Sequence, residues 1–155
     1  MISMKAMDVA KYIVTKSTEI GYPVTNLKLQ KLLYFTQGLS LSVFGKPAFN
    51  DEIEAWRYGP VVPSVYSTFS LYGALDISRK YDDFQINDGD ILSSALYVLI
   101  KFKETNAFEL VDMTHEKDTP WYNIYHGQCA SPVIPQNDIK NDFSSRYIKT
   151  WFTHD

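Results

Sequence analysis

Cysteine is almost absent from this sequence, because Cys129 is the single cysteine among 155 residues. An internal disulfide is therefore excluded, and so are metal sites built from paired cysteines. The neighbours of Cys129 are Gln128, Ala130 and Ser131, which supply no cation to stabilise a thiolate. The sequence thus predicts an unreactive thiol in a protein of the reducing cytosol.

Glycine-rich phosphate-binding loops and nucleophile elbows are missing as well. The seven glycines are scattered, and none opens a strand-to-helix turn that continues with Lys-Ser or Lys-Thr. No serine lies between glycines at the spacing of a nucleophile elbow. The sequence therefore predicts no cofactor, no bound metal and no enzymatic activity.

Long apolar runs are also lacking, since no stretch approaches the ~20 residues that cross a bilayer. Near the amino terminus, Lys5, Asp8 and Lys11 interrupt the apolar core that a signal peptide requires. We therefore expect a cytoplasmic protein that is not inserted into a membrane.

Charge is distributed unevenly along the chain. The first 50 residues contain six lysines against Asp8 and Glu19, whereas the whole chain has a net charge of -3. A basic face could bind nucleic acid, but lysines scattered over amphipathic helices usually form a solvated surface. Nucleic-acid binding is therefore the less favoured interpretation.

Apolar periodicity predicts a mainly α protein: a single compact domain over residues 1–155, with about seven helices and at most a small two-stranded β element. One short helix is expected from Phe108 to His115, and the helix before it is expected to end near Asn106. The other helix starts are indicated by capping residues or first-turn prolines, namely Ser3, Thr25, Pro63, Asp88 or Asp90, Thr119 with Pro120, and Pro135. The helix after Thr25 is apolar over so much of its circumference that it belongs near the centre of the fold.

Extended structure is expected in one region. Between Phe49 and Tyr58 the apolar period changes to two, which predicts a short strand that Gly59 and Pro60 break. A second short strand near residues 84–86 is the expected pairing partner.

Aromatic residues are the abundant component, with 11 Tyr, 9 Phe and 3 Trp making up 15% of the chain. The last helix aligns four large apolar side chains at fourfold spacing: Ile139, Phe143, Tyr147 and Trp151. The total nevertheless exceeds what a core of this size needs. We therefore expect some rings at the surface or in a groove, where large rings anchor protein partners.

The segment from Ile53 to Tyr66 has the composition of a protein-binding hot spot. It reads IEAWRYGPVVPSVY, with two large rings and an arginine beside a Gly-Pro pair. Trp, Tyr and Arg dominate protein interfaces, and a rigid turn loses little entropy on binding. The alternative is that Trp56 and Tyr58 are core residues that tie the extended segment to the helices.

The residues best suited to chemistry lie farther along the chain. Asp112 and His115 are three apart on a predicted helix, so the carboxylate could orient the imidazole as a general base or help to hold a metal. The third ligand that a metal site needs could only be His126, which lies beyond a proline turn. A structural or partner-contacting role for His115 is therefore favoured over catalysis.

Three stretches together resemble the Panacea domain, also called the SocA-like antitoxin domain, of bacterial toxin-antitoxin pairs and phage genomes. The stretches are LKLQKLLYFTQG from Leu27, EIEAWRYGPVVPSVY from Glu52 and LVDMTHEKDTPWYNI from Leu110. They occur in the family's order, and the pattern of Ile134, Pro135, Ile139 and Phe143 is similar to the family's last helix. One departure is the Thr119 that stands between Asp118 and the Pro-Trp pair.

The resemblance implies a mostly helical domain that acts as an antitoxin by binding and neutralising a cognate protein toxin encoded nearby. The family includes an adaptor that delivers its toxin to a cytosolic ATP-dependent protease, so blocking and delivery are both open. The residues that we expect to contact the partner are Tyr34, Trp56, Arg57, Tyr58, Gly59, Pro60, Tyr66, His115 and Trp121. The same motif residues could instead hold the fold while other positions select the partner.

Two alternatives remain. One is a phage-encoded interaction protein that acts on a host factor rather than on a paired toxin. The other is an enzyme that uses Asp112 and His115 as an acid-base pair.

Overall fold

The structure is a computed structural model that describes residues 4–152 of the chain. Within these residues it contains eight α-helices and one two-stranded antiparallel sheet, which confirms the predicted mainly helical fold. The helices are α1 (Ala6–Glu19), α2 (Asn26–Leu39), α3 (Pro63–Phe69), α4 (Gly89–Phe102), α5 (Ala107–Thr114), α6 (Pro120–Ile124), α7 (Gln136–Arg146) and α8 (Ile148–Trp151). A π-helical turn (Ser40–Phe44) extends α2, and a 3-10 turn (Ser70–Tyr72) extends α3. Ser3, the expected first cap, lies outside the described residues.

Helix α2 occupies the centre of the fold, as its apolar circumference predicts. Every one of its residues except Leu27 is buried. It contacts α1, α3, α4, α5 and α7 as well as the sheet. Because α2 has no solvent face, its polar side chains must find their partners inside the protein.

Two of the amino-terminal lysines do not form the solvated surface that their spacing indicated. Lys28 and Lys31 are both buried on α2. The amine of Lys28 donates to the carbonyl of Lys103 at 3.1 Å, beside the end of α4. Because α2 is surrounded by other elements, the polar positions in its sequence do not mark a solvent-exposed face. Periodicity alone therefore places these two lysines wrongly at the surface.

Several helix boundaries follow the predicted capping chemistry. The side chains of Thr25, Asp88 and Thr119 each accept a hydrogen bond from the first turn of the helix that follows. Helix α4, however, ends at Phe102 rather than near Asn106. The reason is that the Asn106 side chain caps α5 by accepting from the Phe108 amide at 2.7 Å.

The predicted pairing of the strand with residues 84–86 is wrong. Strand β1 (Glu54–Trp56) pairs instead with β2 (Gly59–Val61), in a hairpin whose two-residue turn is Arg57 and Tyr58. Gly59 permits this turn, because its φ of +102° is a conformation that other residues rarely adopt. Pro60 therefore belongs to the hairpin rather than ending the extended structure.

The proline fits the hairpin because of its register. Pro60 lies opposite Ala55, between the pairs that Trp56 forms with Gly59 and Glu54 with Val61. At such a position the backbone groups of both residues point away from the neighbouring strand, so the missing N–H costs no ladder hydrogen bond. Accordingly, the Ala55 amide donates outward to the Pro132 carbonyl at 2.8 Å.

The carboxy-terminal segment closes the core with aromatic rings. The expected single last helix breaks at Tyr147 into α7 and α8. The rings of Phe143, Tyr147 and Trp151 nevertheless pack around Phe35 of α2, with centroid distances of 5.7, 5.7 and 6.2 Å. This cluster accounts for part of the aromatic excess in the sequence.

Among residues 4–152, no helix combines the length and the apolar character that crossing a bilayer requires.

Candidate functional site

The tip of the β1–β2 hairpin presents two large side chains to solvent. Arg57 and Tyr58 form the turn, and Tyr58 is 49% exposed. The guanidinium of Arg57 lies 5.4 Å from the centre of the Tyr58 ring, a cation–π distance. An exposed ring and a permanent cation therefore lie side by side on a two-residue turn.

A buried lysine supports this turn from below. The Lys31 amine of α2 donates a hydrogen bond of 2.7 Å to the carbonyl of Pro60, on the side of the hairpin that faces away from β1. Lys31 is fully buried, and burial lowers its pKa from 10.5 to about 7. The hairpin is thus joined to the centre of the core by a polar contact.

Glutamine and asparagine side chains of α2 extend this contact along the hairpin. Gln30 accepts a hydrogen bond from the Val62 amide at 3.0 Å and donates to Asn26 at 3.0 Å. Asn26 in turn donates to the carbonyl of Tyr66 at 3.1 Å. One face of α2 therefore holds β2 and the start of α3 in a fixed position.

Gly59 is required by the space around it as well as by its backbone angle. A Cβ atom at this position would lie 2.7 Å from Thr114 Oγ1 and 2.9 Å from Lys31 Cε. The turn can therefore approach α2 and α5 closely only because glycine has no side chain.

A stack of three aromatic rings supports the other side of the hairpin. His115 stacks on Trp121 at 3.6 Å, and Trp121 stacks on Tyr125 at 4.7 Å. The indole N–H of Trp121 donates to the Trp56 carbonyl at 2.6 Å, which joins α6 to β1. Trp56 itself packs edge-on against Tyr66 at 5.1 Å.

The imidazole of His115 has an unusual environment. Its Nε2 is the one buried side-chain nitrogen or oxygen without a hydrogen-bond partner between residues 4 and 152. Burial and the nearby Lys31 lower the pKa of His115, while Asp112 raises it less strongly. The stacked ring is therefore mostly neutral near pH 7. The described residues contain no group of three or more His, Cys, Asp or Glu side chains arranged to hold a metal ion.

The nine residues predicted to contact a partner differ in accessibility. Three reach the surface: Arg57, Tyr58 and Tyr66. Three are half-buried: His115 and Trp121 in the supporting stack, and Trp56, whose carbonyl accepts from Trp121. Three are buried: Tyr34, Gly59 and Pro60. Tyr34 packs edge-on against Phe143 at 5.4 Å, and burial raises its pKa well above the ordinary value.

One exposed aromatic residue beside the hairpin was not predicted from the sequence. Phe108, in the first turn of α5, is 59% exposed and lies edge-on to Tyr58, with their ring centres 6.5 Å apart. Its position indicated a helix start, and no local pattern in the sequence indicated its surface exposure. Arg57, Tyr58, Tyr66 and Phe108 together form the hairpin surface.

The role of Lys31 was not predicted either, although the sequence contains a signal of its burial. A lysine on a helix that has no solvent face must be buried, and a buried amine needs an acceptor. The acceptor, the Pro60 carbonyl, could not be inferred because it depends on the register of the hairpin.

The arrangement defines a class of protein: a helical domain that holds exposed rings and an arginine on a fixed turn, which is the composition of protein-binding surfaces. Residues 29–122 match the family described as "Antitoxin SocA-like, Panacea domain". The chain is also 35% identical, over 136 residues, to Antitoxin SocA of Caulobacter vibrioides, a match that covers 81% of this chain and 72% of that protein. The chain belongs to the SocA-like antitoxin family, which confirms the resemblance of its three motifs. No solved structure matches the chain.

Proposed function

We propose that this protein is an antitoxin that binds a cognate protein toxin through the hairpin surface and neutralises it. Membership in the SocA-like family supports the antitoxin role. The observation that carries the choice of surface is the contact between Tyr58 and Phe108, two rings that remain about half exposed. Tyr58 lies on the hairpin that α2 supports, and Phe108 lies on α5. Binding, rather than turnover, is the proposed mode of action.

The physical reason lies in the cost of binding. Ordering a flexible aromatic or arginine side chain at an interface costs about 0.5–1.5 kcal/mol. Here Lys31, Gln30 and the Trp121 stack already hold the hairpin in place, so most of the backbone cost is met during folding. The rings then contribute their buried area to the complex at a smaller entropic cost.

A neutralising complex also needs sufficient affinity. Nanomolar binding corresponds to about 12 kcal/mol, and interfaces of that strength commonly bury about 1,600 Å² in total. The hairpin surface supplies the aromatic anchors on which such an interface depends, and neighbouring positions would complete the area.

The experiment that tests this function is co-expression with the product of the adjacent open reading frame. Growth should fail with the neighbour alone and recover with both proteins, and the two should co-purify at a fixed ratio. A neutraliser that acts by binding should lose protection once the neighbour is in molar excess. Protection at a small fraction of the neighbour's amount would instead favour turnover, either by an Asp112–His115 enzyme or by an adaptor that delivers one toxin molecule after another to a protease.

The role of the hairpin surface is tested by Tyr58→Ala and Phe108→Ala. Both side chains are about half exposed, so each variant should keep the unfolding temperature of the unmodified protein. Each variant should nevertheless fail to rescue growth. Tyr22→Ala provides a matched control, because Tyr22 is an exposed tyrosine outside the hairpin surface. If all three variants rescue growth equally, the toxin binds elsewhere.

Blocking and delivery to a protease are separated by the lifetime of the neighbour in cells. A blocking antitoxin should leave that lifetime unchanged or lengthen it. An adaptor should shorten it, and only while an ATP-dependent cytosolic protease is active.

A further inference from the structure

A groove lies next to the hairpin surface and has no role in the site described above. It runs between the loop after α3 and the start of α5, and its volume is about 380 Å³. Its apolar lining comes from Pro23, Leu27, Ala74, Ala107 and Phe108. Because Phe108 belongs both to this lining and to the hairpin surface, the two features form one continuous surface.

The loop that contributes Gly73, Ala74 and Asp76 to the groove also carries two exposed leucines outside the lining. Leu71 is 96% exposed and Leu75 is 72% exposed, at either side of Gly73. This loop is fixed at its far end, where the Ile77 amide donates to the Val24 carbonyl at 2.7 Å. Exposed leucines on a fixed loop beside an apolar groove are typical of an interaction surface.

Two carboxylates give the groove its charge. Asp76 lines it, and Glu109 follows Phe108 on α5; both residues are exposed. Neither forms a salt bridge in the described part of the chain. Both act electrostatically on the same amine, that of Lys28, which lies in the lining.

Lys28 faces both carboxylates but forms no salt bridge with either of them among residues 4–152. Its amine donates to the Lys103 carbonyl at 3.1 Å, and burial lowers its pKa more than the two acids raise it. The groove thus combines an apolar lining with two exposed carboxylates against one partly buried amine, which is an excess of negative charge. Its complement is an apolar side chain next to a cation.

We propose that this groove binds a segment of the toxin in which a large apolar side chain stands next to a lysine or arginine. The apolar side chain lies against Leu27 and Phe108, and the cation lies between Asp76 and Glu109. This inference rests on the proposed function and adds the chemistry that the partner must present. It also assigns Asp76 and Glu109 as residues that determine partner choice.

The charge of the groove is tested with the purified product of the adjacent open reading frame as the probe. The double variant Asp76→Lys/Glu109→Lys should weaken its binding by about tenfold or more, and the loss should shrink as salt is raised. The control is Asp82→Lys/Asp138→Lys, which reverses two exposed carboxylates outside the groove and should bind like the unmodified chain. Equal binding by both double variants at low salt would overturn the proposal.

The space in the groove is tested by filling it. Ala74 is exposed, so Ala74→Trp should leave the fold intact while its indole occupies the place of the partner's side chain. Ser144→Trp adds the same ring at an exposed position on α7. We expect binding to weaken by at least about tenfold in the first variant only.

The chemistry of the segment is tested with overlapping peptides that cover the neighbour's sequence. Peptides retained by the full chain should contain an apolar residue next to lysine or arginine, and Ala74→Trp should release them. Retention of peptides without a basic residue, or retention that survives Ala74→Trp, contradicts the proposal. If the whole neighbour binds every groove variant as tightly as it binds the unmodified chain, the groove assignment falls and the antitoxin function stands. If the neighbour does not bind at all, both fall.

Discussion

Lys31 and Pro60 are joined by a hydrogen bond of 2.7 Å between the lysine amine and the proline carbonyl, across 29 positions of sequence. The hairpin register directs this carbonyl away from β1, and the fully buried Lys31 meets it from α2. A buried amine is costly unless an acceptor is present, and a buried carbonyl is costly without a donor. Each group therefore stabilises the position of the other. Because Pro60 is fixed in this way, the adjacent turn of Arg57 and Tyr58 is held in place as well.

This relationship predicts a specific dependence of stability on pH. Burial lowers the pKa of Lys31 to about 7, against 10.5 for an ordinary lysine. Between these values the unfolded chain binds a proton that the folded chain has lost, so the free energy of unfolding rises with pH. From pH 7.5 to 9 the rise should reach up to about 1.4 kcal/mol per pH unit. Urea unfolding at several pH values measures it.

The assignment of this slope to Lys31 is checked by substitution. Lys31→Met removes the titrating amine and should flatten the rise, whereas Lys140→Met, at an exposed lysine of α7, should keep it. The window stops at pH 9 because burial raises the pKa of Tyr34 and Tyr147, which reverses the trend in more alkaline solution. Parallel curves for the unmodified chain and Lys31→Met would show that another group is responsible.

A second prediction concerns Gly38, in the middle of α2. A methyl group there would overlap the ring of Phe143, which lies directly over the glycine. Alanine improves helix propensity by about 1 kcal/mol, but overpacking a core costs about 1–3 kcal/mol. Gly38→Ala should therefore lower the free energy of unfolding. Gly89→Ala is the control, because nothing lies within 4 Å of a Cβ at that helical position. The free energy of unfolding of this variant should stay equal or rise.

The helices were predictable from the sequence because their signals are local. Thr25, Asp88 and Thr119 cap helices through side chains that reach only two or three residues ahead. The sheet was not predictable in the same way. Its pairing depends on the positive φ of Gly59 and on Pro60 occupying the one register in which a missing N–H is tolerated. A Gly-Pro pair reads as a strand breaker until the neighbouring strand is known.

A third prediction concerns the contact between α6 and β1. Trp121→Phe keeps an aromatic ring beside His115 but removes the N–H that donates to the Trp56 carbonyl at 2.6 Å. This hydrogen bond is only partly buried, so its loss should cost about 0.5–1.5 kcal/mol in thermal or urea unfolding. Tyr122→Phe, next along α6 and exposed, should change stability by no more than about 0.5 kcal/mol. A Trp121→Phe protein as stable as the unmodified chain would mean that the hydrogen bond contributes nothing net.

The candidate site was partly predictable, for a related reason. The composition of the segment from Ile53 to Tyr66 identified Arg57 and Tyr58, because rings and arginine beside a tight turn are distinctive in sequence. Phe108 joins them only through the packing of α5 against β2, which no local pattern encodes. Tyr34 was expected to contact the partner, but the central position of α2 buries it.

The last prediction separates residues that hold the hairpin from residues that contact the partner. Gly59→Ala places a methyl group against Thr114 and Lys31 at a φ of +102°, whereas Gly127→Ala meets nothing within 4 Å at a φ of +69°. Both variants bear the cost of a positive φ, about 1–2 kcal/mol, but only the first adds a steric overlap. Gly59→Ala should therefore unfold at clearly lower urea concentration than Gly127→Ala. It should also no longer bind the product of the adjacent open reading frame. Tyr58→Ala should also lose binding of that product, but its free energy of unfolding should not change, because the Tyr58 ring lies outside the core. Should Gly59→Ala and Gly127→Ala prove equally stable, close packing of the turn on α2 is not what holds the hairpin in place.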